Sequence, residues 1–144
     1  AGNIDVYNPS RIDRSKILFW QKNKLIFFKK YYQKISKLIK ISNIVILPSY
    51  REGFPKILME AAACGRPVIT TNVPGCRDAV KKNVTGIIIP PKNYIALADA
   101  IKNLSENKNK QIKMGLAARK YAIKNFDVKK IVNEHLDIYK KLMN

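Results

Sequence analysis

Three short apolar runs alternate along this chain with segments of helical character: residues 44–48 (IVILP), 68–71 (VITT) and 86–90 (GIIIP). Their length and β-branched content suit strands buried on both faces, as in a parallel sheet covered by helices. Between the first two runs, Pro55 suits a helix start, Gly65 its C-terminal cap, and Pro67 lies just past the stop. Between the second and third, Pro74-Gly75 reads as a turn and 77–81 as a short helix. The alternation predicts βαβ units joined by right-handed crossovers, an α/β fold with a parallel sheet. Beyond Pro91 the pattern is helical: 94–104, 108–124 and 127–142, with 106–110 a loop. Upstream, Asn8-Pro9 marks a turn, with Pro9 in the first helical position. A helix through Gln21, a short buried strand over 25–28 and an amphipathic helix over 31–41 follow.

The 144 residues suffice for one domain with a core. No apolar run approaches the ~20 residues of a bilayer span. The N-terminus lacks a basic segment followed by an apolar one, so no signal peptide is expected. Cys64 and Cys76 have no metal-ligand spacing and a single histidine to join them, which speaks against zinc and for a reduced, cytoplasmic protein. The net charge is +18. Such a surface attracts nucleic acid, anionic lipid or acidic substrates. The Lys-, Ile- and Asn-rich composition follows equally from an AT-rich coding sequence. The excess charge lies mainly in residues 1–43 and 92–144, outside the segment between them.

In an open parallel sheet, ligands bind beyond the C-terminal ends of the strands, where helix N-termini point. The loop 49–54 (SYREGF) leads from the first run into the helix at Pro55, so amides and helix dipole favour an anion there. Glu52 lies in this loop and Glu60 about one and a half turns into the helix. A carboxylate accepts strongly from paired sugar hydroxyls. Two carboxylates beside a phosphate seat could therefore hold two sugars joined through a diphosphate.

The run PSYREGFPKILMEA, then ACGRPVITTNVPGCRDAV and GIIIPP, resembles the large family of retaining GT-B glycosyltransferases typified by capsular and lipopolysaccharide sugar transferases. About a third of the chain carries the likeness strongly. The flanks, Asp5-x-x-Asn8-Pro9 and Met114-Gly115…Phe126…Tyr139, carry it weakly. The resemblance implies the Rossmann-like C-terminal half of a GT-B fold, with helices on both faces of the sheet and C-terminal helices appended. It implies a hexosyltransferase that moves a sugar from a nucleotide-diphosphate sugar to a cell-envelope polysaccharide or lipid-linked acceptor, with retention and without a metal. Glu52 would be the catalytic-site carboxylate beside the donor sugar, and Glu60 would bind the nucleotide ribose. Arg51, Gly53, Phe54, Lys56 and Ile57 would hold the donor sugar and diphosphate. Many relatives have Gly-Leu where this chain has Pro55-Lys56, and Pro55 has no N–H to donate. The likeness also implies that residues 1–144 are one nucleotide-sugar-binding domain. It would lack its first strand and the whole N-terminal acceptor domain, and would be inactive alone.

The other singled-out residues have plainer readings. Gly65 reads as a helix cap and Gly75 as a turn residue beside the same cleft. Cys64 reads as a small buried helix residue, Cys76 as a loop thiol, Trp20 as a core or domain-interface packing residue and His135 as a surface or packing residue. Peripheral contact of the basic terminal helices with anionic lipid is a further expectation. Two alternatives stand beside the transferase: a basic nucleic-acid-binding module, which has no binding signature here, and a fragment of a nucleotide-sugar epimerase.

Overall fold

The computed structural model describes residues 12–28 and 33–143. The chain forms two units, 1–35 and 36–144. The Asn8-Pro9 turn and Asp5 lie outside the described residues.

In the first unit, α1 (Arg14–Lys22) begins at Asp13, whose carboxylate accepts from Ser15 N at 3.0 Å. Trp20 is half-buried within it. Lys24 leaves the helix with φ +55, and the Leu25 amide donates back to Trp20 O. The expected strand over 25–28 does not form, and Leu25 and Phe27 are 67% and 88% exposed. A strand needs a neighbour to receive its hydrogen bonds, and among the described residues no strand pairs with this segment.

All of α2 (Ile35–Ile41) but its first residue lies in the second unit; of the predicted 31–41 helix, residues 33 and 34 form a turn, and Tyr31 and Tyr32 lie outside the described residues. Three parallel strands follow in spatial order β1 (Val45–Leu47), β2 (Val68–Thr71) and β3 (Gly86–Ile89). Val45 pairs with Val68, and Val68 with Gly86. The helices α3 (Lys56–Ala63) and α4 (Pro74–Ala79) make the two crossovers. Both crossovers step in the same direction, so right-handed connections place both helices on one face of the sheet. They touch each other, and the side chains of Val68 and of Val80, the C-cap of α4, both crowd the space beside Gly86. The opposite face carries Ile69, Ile87 and Ile89 and is covered by Ala100 and Leu104 of α5 (Tyr94–Glu106). Met114 of α6 (Lys108–Asn125) completes that core. The α/β fold with helices on both faces is as expected.

Several local expectations change. β2 is buried along its whole length, but β1 is an edge strand among the described residues, with Ile46 39% exposed, so it is not covered on both faces. Pro55 is the N-cap of α3 and not its first residue. Pro74-Gly75 is no free turn: Pro74 takes the first position of α4, where its missing N–H costs nothing, and the helix ends at Ala79. Cys76 is consequently a buried helix residue, while Cys64, at the C-cap of α3, is only half-buried. The loop at 106–110 collapses to Asn107 alone, which ends α5 and caps α6 by accepting from Lys110 N at 2.9 Å. α6 is not a mere appendage. Ala118 and Ala122 pack on Ala62 of α3, and these small side chains let the two helices approach closely. Gly65, with φ +66, closes α3 in a left-handed turn: its amide donates to Ala62 O and that of Arg66 to Ala61 O, both at 2.9 Å. In the second unit, α7 (Val128–Met143) has no buried residue, as α1 has none in the first.

Candidate functional site

The site expected from the sequence begins where β1 ends. Two buried threonines of β2 hold that exit. Thr70 Oγ1 donates to Leu47 O at 2.8 Å, and Thr71 Oγ1 donates to Ser49 O. Both threonines are at most 1% exposed, and each satisfies its hydroxyl on a backbone carbonyl, of β1 for Thr70 and of the loop after it for Thr71. Ser49 passes the constraint on: its Oγ donates to Glu52 Oε1 at 2.7 Å. A hydroxyl bound to a carboxylate is a charge-assisted contact that orients the acceptor. Glu52 is half-buried, and its carboxylate is oriented by Ser49. Arg51 is exposed at the tip of the loop.

From Gly53 the chain passes through Phe54 and the buried Pro55 into α3. The Phe54 ring meets Phe126 edge-on, with centroids 5.8 Å apart, and Phe126 meets Tyr121 in the same way at 5.4 Å. Such pairs add about 0.5–1.5 kcal/mol beyond area burial, so Phe54 ties the loop to the end of α6. Lys56 and Ile57 occupy the first turn of α3, where backbone N–H groups have no partner within the helix. Glu60 lies one turn further on, and Lys56 Nζ approaches its Oε1 at 3.8 Å. With the Lys56 side chain 84% exposed, and lysine on the N-terminal side of the pair, this contact is weak. It leaves the ammonium at the mouth of the loop.

On the same rim, a groove of about 230 Å³ runs from Tyr50 and Thr71 to Lys92 and Tyr94, with Lys92 Nζ 5.8 Å from the centre of the Tyr50 ring. A wider groove of about 400 Å³ lies at the other end of the sheet, beside Asn43, Arg66 and Arg119. Its arginines already serve as caps. Arg119 Nη1 donates to Ala63 O at 2.6 Å, and Arg66 Nη2 donates to Lys40 O. That groove is bordered by the C-terminus of α3 and the first turn of α6, and it lies at the end of the sheet away from the loop at 49–54.

Sequence reasoning missed Ser49, Thr70 and Thr71 as the supports of the loop. The two hydroxyls at the end of an otherwise apolar strand were the available signal. His135 is exposed, as expected, its Nδ1 lying 2.8 Å from Ile131 O. Among the described residues, no group of His, Cys, Asp and Glu is placed to hold a metal ion. No described helix is long and apolar enough to cross a membrane.

Residues 12–121 match the family model described as glycosyl transferases group 1. The chain is 30% identical to the capsular polysaccharide biosynthesis glycosyltransferase CapM of Staphylococcus aureus, over 96% of this chain and 36% of CapM. It is 29% identical to the N,N'-diacetylbacillosaminyl-diphospho-undecaprenol alpha-1,3-N-acetylgalactosaminyltransferase of Campylobacter jejuni, over 76% of this chain and 29% of that enzyme. The structure of HepE from Anabaena in complex with UDP superposes with a TM-score of 0.80 at 25% identity, over 88% of this chain and 36% of HepE. The chain thus spans about a third of the length of the relatives it matches. By the family match over most of its length, joined to a parallel sheet whose rim loop leads into α3, this chain belongs to the group 1 glycosyltransferases.

Proposed function

We propose that this chain is the donor-binding half of a retaining, metal-independent sugar transferase that uses a nucleotide-diphosphate sugar. The observation that carries this reading is the 49–54 loop, braced at Ser49 and Glu52, which delivers an oriented carboxylate beside the open first turn of α3. Glu52 accepts from hydroxyls of the donor sugar. The amides of Gly53, Phe54 and the first turn of α3, with Arg51, Lys56 and Ile57, receive the sugar and diphosphate. Glu60 accepts from the ribose hydroxyls. When the bond between the anomeric carbon and the phosphate oxygen breaks, charge grows on the diphosphate. Amides and cations already aimed at that place stabilise it without reorganising.

The reaction also needs an acceptor hydroxyl and a closed, dry cleft. A second, N-terminal domain supplies these, and the 144 residues alone transfer sugar poorly. The name of CapM and the lipid-linked name of the Campylobacter enzyme support a cell-envelope polysaccharide or lipid-linked acceptor. Contact with an anionic membrane fits that setting. The lysines of α7, at 129, 130, 140 and 141, flank an exposed apolar face and suit such a surface.

Titration of the chain with uridine and guanosine diphosphates and their sugars, wild type against Glu60→Ala, tests the donor assignment. Binding should be lost or weakened at least about tenfold, a change equal to ~1.4 kcal/mol. Unchanged affinity in the variant removes Glu60 from the ribose site, and absence of any nucleotide binding by the wild type removes the donor site itself.

A further inference from the structure

We infer that Gly75 and Thr71 are positioning residues of the donor site, which fix the loop at 49–53 in the place where Glu52 and Gly53 meet the sugar. The inference rests on the assignment of those two residues to the donor sugar given above.

Gly75 is the second residue of α4 and is buried. A Cβ at this position would stand 1.7 Å from Gly53 O, 2.3 Å from Gly53 C and 2.8 Å from Glu52 O. All three are backbone atoms of the donor loop, so no flexible side chain can swing aside to make room. Gly75 has no positive φ and sits in a helix, so glycine is required here for space and not for conformation. The residues that follow are fixed by the core: Cys76 is fully buried, Ala79 is 2% exposed, and Val80, the C-cap, is 6% exposed. An added methyl therefore displaces the loop more readily than the helix, because the loop's outer residues face solvent.

Thr71 constrains the same loop from the sheet. The backbone ladder between β1 and β2 stops at the Leu47–Thr70 pair. The Thr71 hydroxyl extends the attachment by holding Ser49 O, and Ser49 in turn holds the Glu52 carboxylate. The loop is thus fastened at Ser49 by a donor from the sheet and seated at Gly53 against the backbone of α4. A shift of about an ångström in groups that recognise a reacting substrate is costly. Neither Gly75 nor Thr71 is assigned a contact with the ligand, and each acts through the loop.

The test compares the full chain with Gly75→Ala, Thr71→Val and Thr71→Ser. Calorimetry measures UDP-glucose against UDP, and GDP-mannose against GDP, with a thermal melt of each variant. The sugar hydroxyls are assigned to Glu52 within the 49–53 loop, whereas the ribose is assigned to Glu60 and the diphosphate also to Phe54, Lys56 and Ile57, which lie beyond that loop. Gly75→Ala should therefore weaken the nucleotide sugar at least about tenfold more than the nucleoside diphosphate, a difference of ~1.4 kcal/mol. Thr71→Val, which keeps the shape and removes the donor, should change the ratio in the same direction by less. Thr71→Ser, which keeps the hydroxyl, should restore the wild-type ratio. If both ligands weaken equally in every variant, the two residues serve stability alone and the inference is overturned. If Gly75→Ala fails to fold, the Thr71 pair decides, and an unchanged ratio in Thr71→Val overturns it. If the wild type binds neither a nucleotide nor its sugar, the donor assignment falls and takes this inference with it. If the wild type binds and only the ratios stay fixed, the donor assignment stands and the positioning role does not.

Discussion

The α3–α6 pair and α7 are both helical and both carry apolar stripes, yet one stripe is buried and the other is not. In the pair, Leu58, Ala61, Ala62, Ala118 and Ala122 are at most 5% exposed. In α7, Ile131, Val132, Leu136, Ile138, Tyr139 and Leu142 range from 39% to 78% exposed. Apolar periodicity says that a face needs cover and not what covers it. The distinguishing mark is residue size. The pair meets through alanines and through Gly65 against Gly115, where a Cβ on Gly115 would stand 2.3 Å from Gly65 O. α7 carries long side chains throughout, which suits a broad, adaptable contact more than close approach of two backbones.

The contrast is broken most sharply by truncating a buried side chain on one helix and its counterpart on the other. Leu58→Ala should destabilise the chain by about 2–5 kcal/mol. Leu142→Ala should change stability by less than about 0.5 kcal/mol. Equal losses in urea unfolding would mean that α7 is packed as tightly as α3. Next in size is Gly115→Ala, which should cost about 1–3 kcal/mol through overpacking against the cap of α3. A neutral result in the same assay would show that the two helices can separate freely. Asn107→Ala, which removes the cap of α6, should cost about 1 kcal/mol in thermal melting. The smallest effect concerns α7 itself. A chain ending at Asp127 should keep its melting midpoint and its nucleotide affinity, while salt-sensitive binding to anionic vesicles is lost. Retention of vesicle binding would place the lipid contact elsewhere.

Much of the second unit was legible because its signals are local. VITT and GIII read as strands from their own residues, and Gly65 followed by Pro67 marks the end of α3 whatever surrounds it. The loop SYREGF could be placed at the strand exit from chain order alone. The seat of Gly75 against Gly53 could not, since it depends on two segments more than 20 residues apart meeting backbone to backbone, and a glycine in a Pro-Gly pair reads first as a turn. The exposed edge of β1 was equally hidden: IVIL describes a strand fit for burial, while burial itself depends on the neighbours it receives. The run at 25–28 failed for the same reason, having strand composition without a partner. Nor does adjacency in sequence decide what holds Glu52, since Arg51 beside it is exposed. Adjacent residues often point apart, and the loop's curvature brings Ser49 round instead.

The junction of α5 and α6 has a consequence for how the unit comes apart. Gln111, buried on α6, donates its amide to Leu104 O at 2.7 Å and Ser105 O at 3.2 Å, while Asn107 accepts from Lys110 N. Each helix thus supplies the terminal hydrogen bonds of the other. Ordinary helix ends melt independently, but here neither can unwind without releasing its neighbour. Transient opening of this unit should start elsewhere, and the corner should behave in amide exchange as one cooperative knot rather than two loose ends.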